Sequence, residues 1–157
     1  MFKKRLGLTY IELLLVLTLF ALISILGLSS YSTWQKEVTL VNSFDELKST
    51  IALAQAKAIA AADNKNWGVH FEAGQYILFS GSFYDQDNPD NKTKELRGVQ
   101  ILNPSTSLSD GATGYGADLV FSKYTGQTAN VGQITVVANS DSSKTKIISI
   151  QDNGQIN

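Results

Sequence analysis

The stretch MFKKRLGLTYIELLLVLTLFALISILGLSSYSTW, residues 1–34, decides how the rest of the chain is read. Lys3, Lys4 and Arg5 put three positive charges at its start, and after Glu12 no charged residue follows until Lys36. Residues 13–34 are therefore 22 uncharged positions, about 33 Å of α-helix, which matches the hydrocarbon core of a bilayer. Eight leucines, two isoleucines, one valine and one phenylalanine each favour insertion by roughly 0.3–0.6 kcal/mol, about 4–7 kcal/mol together. That exceeds the roughly 3 kcal/mol cost of one central charge, so insertion is favoured even with Glu12 ionised. The Lys-Arg cluster ahead of the span predicts an N-terminus in the cytoplasm and a C-terminal domain outside.

Three readings of this segment compete. A secretory signal would be cut after its apolar run, near the small residues Gly27 to Ser30, and would leave Glu12 unexplained. A plain membrane anchor accounts for the length but again treats Glu12 as an accident. In the third, the basic start, Gly7, the intramembrane carboxylate and the span form one device.

Beyond Lys36 the apolar pattern narrows to one face. Leu40, Phe44, Leu47, Ile51, Ala54 and Ala58 recur at steps of three and four, and seven alanines among residues 51–63 make a strong, slim helix former. Nothing between Leu8 and Ala62 forces a break, so one helix of about 80 Å is expected. Gly27, Ser29 and Ser30 are the natural place for it to bend. After Asp63 the period becomes strand-like: residues 67–71 and 75–80 flank the turn Glu72-Ala73-Gly74 as a hairpin. Residues 96–102, 118–121, 133–138 and 146–151 read as further strands, with turns at Asn103-Pro104 and Asn153-Gly154. The expected fold class is α+β, a long N-terminal helix on an antiparallel sheet. Its parts are a leader (1–7), a transmembrane half-helix (8–34), an amphipathic half-helix (35–63) and a β-rich globular domain (64–157).

Lys3-Lys4-Arg5-Leu6-Gly7 followed by Leu8-Thr9-Tyr10-Ile11-Glu12-Leu13-Leu14 resembles the leader and mature start of the type IV pilins and type II secretion pseudopilins. The resemblance implies a pilin-like fold, cleavage between Gly7 and Leu8 by a prepilin peptidase, and methylation of the new N-terminus at Leu8. Leu8 stands where the family usually has phenylalanine or methionine. The resemblance further implies that Glu12 of one subunit neutralises the Leu8 amine of its neighbour during filament assembly. The pair would set axial register as a polar residue does in a coiled coil. Partners implied are other pilins or pseudopilins through the N-terminal helix, an inner-membrane assembly platform and membrane lipid. The location implied is the bacterial inner membrane and then the filament. Residues 53–60, Gly68-Val69-His70-Phe71, residues 74–79, Phe121 with Gly126, and residues 148–154 are similar to the minor pseudopilin H (FimT-like) branch. The function implied is a structural subunit for building or initiating a secretion pseudopilus or type IV pilus. The alternative is a DNA-uptake or adhesion pilin that binds through loops at 82–94 or 103–117.

Composition excludes much else. The 157 residues carry a net charge of −1 and no cysteine, so disulfides and thiolate chemistry are absent. Losing residues 1–7 would take three positive charges and leave −4. Such a chain lacks the electrostatic footprint of a nucleic-acid binder, and its end, residues 151–157, has no basic residue. His70, the single histidine, alternates with apolar neighbours and is expected in a structural role. Asp85, Asp87 and Asp90 gather oxygen ligands, but Pro89 interrupts the EF-hand order, so a solvated loop is expected there rather than a calcium site. Residues 111–116 are glycine-rich without the order of a phosphate loop and are expected to be flexible. No enzyme signature and no cofactor or metal site emerges.

Overall fold

A computed structural model describes residues 9–109 and 114–157, with the side chains of residues 26–33 left aside. Helix α1 runs over Tyr10–Ile59 and is hydrogen-bonded without interruption through Gly27, Ser29 and Ser30. It starts on Thr9, whose hydroxyl accepts from the Glu12 N–H at 3.3 Å. This satisfies one of the amides a helix leaves open at its start, while Glu12 complements the positive end of the helix dipole. At the other end, Ala61 adopts a left-handed conformation (φ 48°), which stops the helix three residues before the sequence pattern expects. A 3-10 turn at Ala62–Asn64 then hands the chain to the first strand.

The chain divides into two compact units between Glu37 and Val38, so the amphipathic half of α1 belongs with the strands. There Leu47, Ile51, Ala54 and Ala58 are completely buried, Leu40 nearly so, and Phe44 packs partly exposed beside them. These are the six positions picked out by the 3.6-residue period. The alanines matter as much as the large residues, because their small side chains let α1 lie close to its neighbours.

The strands form two antiparallel sheets rather than the single sheet expected. In the first, the order is β3 (Lys92–Glu95), β2 (Gln75–Ser80), β1 (Trp67–Phe71), β7 (Asp118–Phe121). The β1–β2 hairpin pairs Trp67 with Ser80 and Phe71 with Tyr76. In the second sheet β8 (Val131–Ala138) is central, with β9 (Asp141–Ile150) along one side. The other side carries β4 (Val99–Leu102) and then the short pair β5 (Leu108–Ser109) and β6 (Tyr115–Gly116). One core joins α1 to both sheets through Val69, Phe71, Tyr76, Leu119, Phe121, Ile134, Val136 and Ile148.

Two expectations about loops are corrected. Residues 82–94, read as a loop, contain β3, whose sequence Lys-Thr-Lys-Glu is exposed throughout and so shows no apolar alternation. Residues 103–117, also read as a loop, contain β5 and β6; of the glycine-rich run at 111–116, residues 111–113 lie outside the described ones, and Tyr115 and Gly116 pair with Ser109 and Leu108. The strand expected at 96–102 starts only at Val99, because Gly98 turns the chain at φ +75°.

The face of the first sheet turned away from α1 has its own cover. Ile77 and Phe79 are each 1% exposed yet stand outside the main core. Tyr84 meets Phe79 edge-on at 5.7 Å and stacks on His70 at 4.0 Å. Gly68 makes room for Phe79, since a Cβ there would sit 2.6 Å from its ring and 2.7 Å from the Leu119 carbonyl oxygen.

Candidate functional site

The N-terminal unit is built unlike the rest. Tyr10, Ile11, residues 13–17, Leu19, Phe20, Leu22, Ile23 and Ile25 are all well exposed. An unbroken exposed run such as residues 13–17 passes round the whole helix, so there is no polar side to turn to water. The hydroxyls in this stretch bond to the helix itself: Thr18 Oγ1 to the Leu15 carbonyl at 2.9 Å and Ser24 Oγ to the Phe20 carbonyl at 2.8 Å. Internal satisfaction of this kind is what an apolar medium demands. Glu12 is the one charged side chain of residues 9–25, and it is exposed on the first turn. Gly7 and Leu8 lie outside the described residues. Among the described residues no helix is long and apolar enough to cross a membrane; the expected span runs into residues 26–33, whose side chains are not described.

A second constellation sits at the far end of α1. Gln55 Nε2 donates to the carbonyl oxygens of Gly126 (3.1 Å) and Gly154 (2.9 Å), 71 and 99 residues away. Both glycines have positive φ, and both are too crowded for a side chain: a Cβ on Gly154 would lie 2.3 Å from the Gly126 oxygen, and one on Gly126 would lie 2.6 Å from Ile59. The Tyr124 N–H donates to the Ala58 carbonyl at 2.9 Å, and Asn64 accepts from Lys123 Nζ and the Tyr124 hydroxyl. One polar helix residue thus ties the helix end, the turn after β7 and the C-terminal turn together. Gln55, Gly126 and Gly154 had carried the family resemblance in sequence; their meeting in space was not legible there, because only long-range pairing brings them together.

His70 holds a local network on β1. Its Nδ1 pairs with Asp118 Oδ1 on β7, its Nε2 stands 3.8 Å from Glu72 Oε1, and its ring carries the stacked Tyr84. The Tyr84 N–H reaches the other Asp118 oxygen at 3.4 Å. Burial, and then the carboxylates of Glu72, Asp118 and Asp85, push the Tyr84 phenol above its ordinary value. The network pins a loop to a sheet. In the loop beyond, Asp85 Oδ1 and Asn88 Oδ1 accept from the N–H groups of Asp87 and Asp90, which spends these oxygens on turn formation. Among the described residues no cluster of three or more His, Asp or Glu could hold a metal.

Residues 44–154 match the family described as Type II transport protein GspH. The chain belongs to the GspH family. The match spans most of the β-rich unit, including Gln55, Gly68, Gly126 and Gly154, and begins within the amphipathic half of α1, so it does not include the leader motif. The fold is similar to the crystal structure of the type IV minor pilin FimU of Pseudomonas aeruginosa strain PAO1. That likeness has a TM-score of 0.52 at 10% identity, covering 74% of this chain and 89% of that one. It establishes a pilin-like α+β fold and nothing finer. No curated protein matches. As members of a group of structural pilins, these relatives agree with a non-catalytic chain.

In this GspH-family chain Lys57, Lys65 and Lys92 share one depression with Asp63 and Asp90. Lys92 and Lys94 lie on β3, where Lys94 Nζ is committed to Glu46 Oε1 at 2.5 Å. That contact raises the Lys94 pKa. Lys57 covers the Trp67 ring at 3.9 Å and Lys146 the Phe44 ring at 5.0 Å.

Proposed function

We propose that this chain is a minor pseudopilin or pilin that helps to build or initiate a type II secretion pseudopilus or a type IV pilus. The observation that carries the reading is the pairing of an all-round apolar helix, bearing one carboxylate, with a GspH-family unit. A prepilin peptidase cuts between Gly7 and Leu8 and the new Leu8 amine is methylated. Residues 13–34 hold the subunit in the inner membrane, with the globular unit outside, until the assembly platform extracts it. The filament then supplies what water cannot: apolar surface from neighbouring helices on every side of residues 13–25.

Glu12 has the central part in this assembly. A carboxylate in an apolar surround must be paired or neutralised, and the Leu8 amine of an adjacent subunit is a cation in reach of the same helix end. The Thr9 cap is local to the backbone and survives any change at the Glu12 side chain. Glu12→Ala is therefore expected to insert, to be cut and to fold normally, yet to be missing from sheared filaments. Filaments containing that variant at the wild-type level would remove Glu12 from the mechanism.

A further inference from the structure

Over the outer face of the first sheet lies an open groove of about 560 Å³, within the size range of small-ligand sites. Its floor is the exposed edge of β7, where Asp118, Val120 and Ser122 present alternate side chains beside His70. Ser82, Asn130 and Tyr115, the last 73% exposed, also line the groove. Gly116 and Ala129 keep the walls low. Ser122 links the groove to the Gln55 clamp, since its carbonyl accepts from the Gly126 N–H at 2.9 Å.

The chemistry of the lining eliminates most ligand classes. No lysine or arginine lines the groove, so a phosphate or carboxylate ligand would find no counter-charge. Its one carboxylate, Asp118, is already engaged by His70, which leaves too few ligands for a metal ion. The β7 edge is a poor template for an extended peptide, because two of the outward N–H groups along it are taken. Val120 donates to Asn130 Oδ1 at 3.1 Å and Ser122 to the Gln127 carbonyl at 2.8 Å. What remains available is the aromatic ring of Tyr115, the Asn130 side-chain amide N–H₂ whose oxygen alone is used, the Ser122 hydroxyl, and the O–H of Ser82, whose oxygen accepts from Asn66 Nδ2 at 3.1 Å. A neutral ring that carries many hydroxyls and one apolar face matches that set.

We infer that this groove is a binding site for a neutral saccharide, with Tyr115 as its stacking platform and Asn130 as its principal donor. The test uses the full chain in dodecylphosphocholine micelles, which bear no sugar, and follows amide and side-chain NMR signals. The probes are maltotriose and triacetylchitotriose, both uncharged, with glucose 6-phosphate and trialanine as controls. The expected result is saturable shifts at Ser82, Tyr115 and Asn130 with at least one neutral saccharide, of roughly millimolar affinity. That binding should weaken about tenfold in Tyr115→Ala. Asn130→Asp, which keeps the oxygen that caps Val120 and deletes the donor, should weaken it similarly; the remaining spectrum reports that each variant is folded. Absence of shifts with both saccharides at about 20 mM, binding untouched by both substitutions, or preference for the phosphate or peptide would each overturn the assignment. The result is separable from the filament reading, since neither Gly7, Leu8 nor Glu12 enters it.

Discussion

The two units of this chain solve the problem of apolar surface in opposite ways. In residues 38–157 most of the large apolar side chains close into a core: Leu47, Ile51, Val69, Phe121 and Ile134 have no accessible surface at all, although a few such as Leu53, Ile59 and Phe83 stay exposed. In residues 9–25 the same residue types are exposed around the whole helix. The first pattern is self-sufficient and the second is not, so the N-terminal helix presents apolar surface that the chain itself does not cover.

The sharpest way to break this comparison is to make one substitution in both places. Leu47→Ala opens a cavity in a closed core and is expected to lower the unfolding free energy of the β-rich unit by about 2–5 kcal/mol. Leu17→Ala should leave that unit's denaturant midpoint unchanged. Equal effects, read by Trp67 fluorescence during denaturant unfolding of the full chain in micelles, would show that the N-terminal helix is part of the same core.

Smaller changes probe how the closed unit is tied. Gln55→Ala strands the carbonyls of Gly126 and Gly154 and should cost about 1–3 kcal/mol. Gly154→Ala forces a Cβ against the Gly126 oxygen at a φ of +80° and should be at least as harmful. If the two effects add fully in the double variant, the clamp is not one device. Smaller still, and opposite in sign, Ala61→Gly relieves a left-handed alanine at the helix end (φ 48°) and should stabilise by about 0.5–1 kcal/mol in the same assay.

The pH dependence has a definite sign. Burial pushes the Tyr76 phenol above its usual 10.0; Tyr84 moves the same way through burial and nearby carboxylates. The hydrogen bond that Lys94 donates to Glu46 raises Lys94 above 10.5. In each case the folded chain keeps its proton to higher pH than the unfolded chain, so the contribution is whole below about pH 10 and is lost as pH rises through the raised values. Midpoints measured from pH 8 upward should hold steady and then fall beyond about pH 10, with a shallower fall in Tyr76→Phe. A rise in that range would contradict the burial of Tyr76.

How much of this was legible in the sequence follows from how local each signal is. The buried stripe from Leu40 to Ala58 and the β1–β2 hairpin depend on neighbours a few residues apart, and both stand in the structure as read. The leader motif is equally local, which is why Gly7, Leu8 and Glu12 can be named without any contact. The division into two sheets was not legible: it turns on β1 pairing with β7, as Trp67 does with Phe121 across a third of the chain, and residue alternation carries no record of partners. β3 was missed because an exposed edge strand with two lysines is meant to look like a loop to other strands as well. Glu12 shows the opposite case, where its backbone contact with Thr9 adds a local capping position to a residue first noticed for its charge.

The claim at the centre is that the apolar helix begins at a freshly cut Leu8 and is kept for assembly. Intact-mass measurement of the protein extracted from bacterial membranes tests it in one spectrum. The account predicts a chain that has lost residues 1–7 and gained one methyl group on Leu8. A mass corresponding to the uncut chain, or to cleavage near Ser30 with the apolar segment gone, would contradict it.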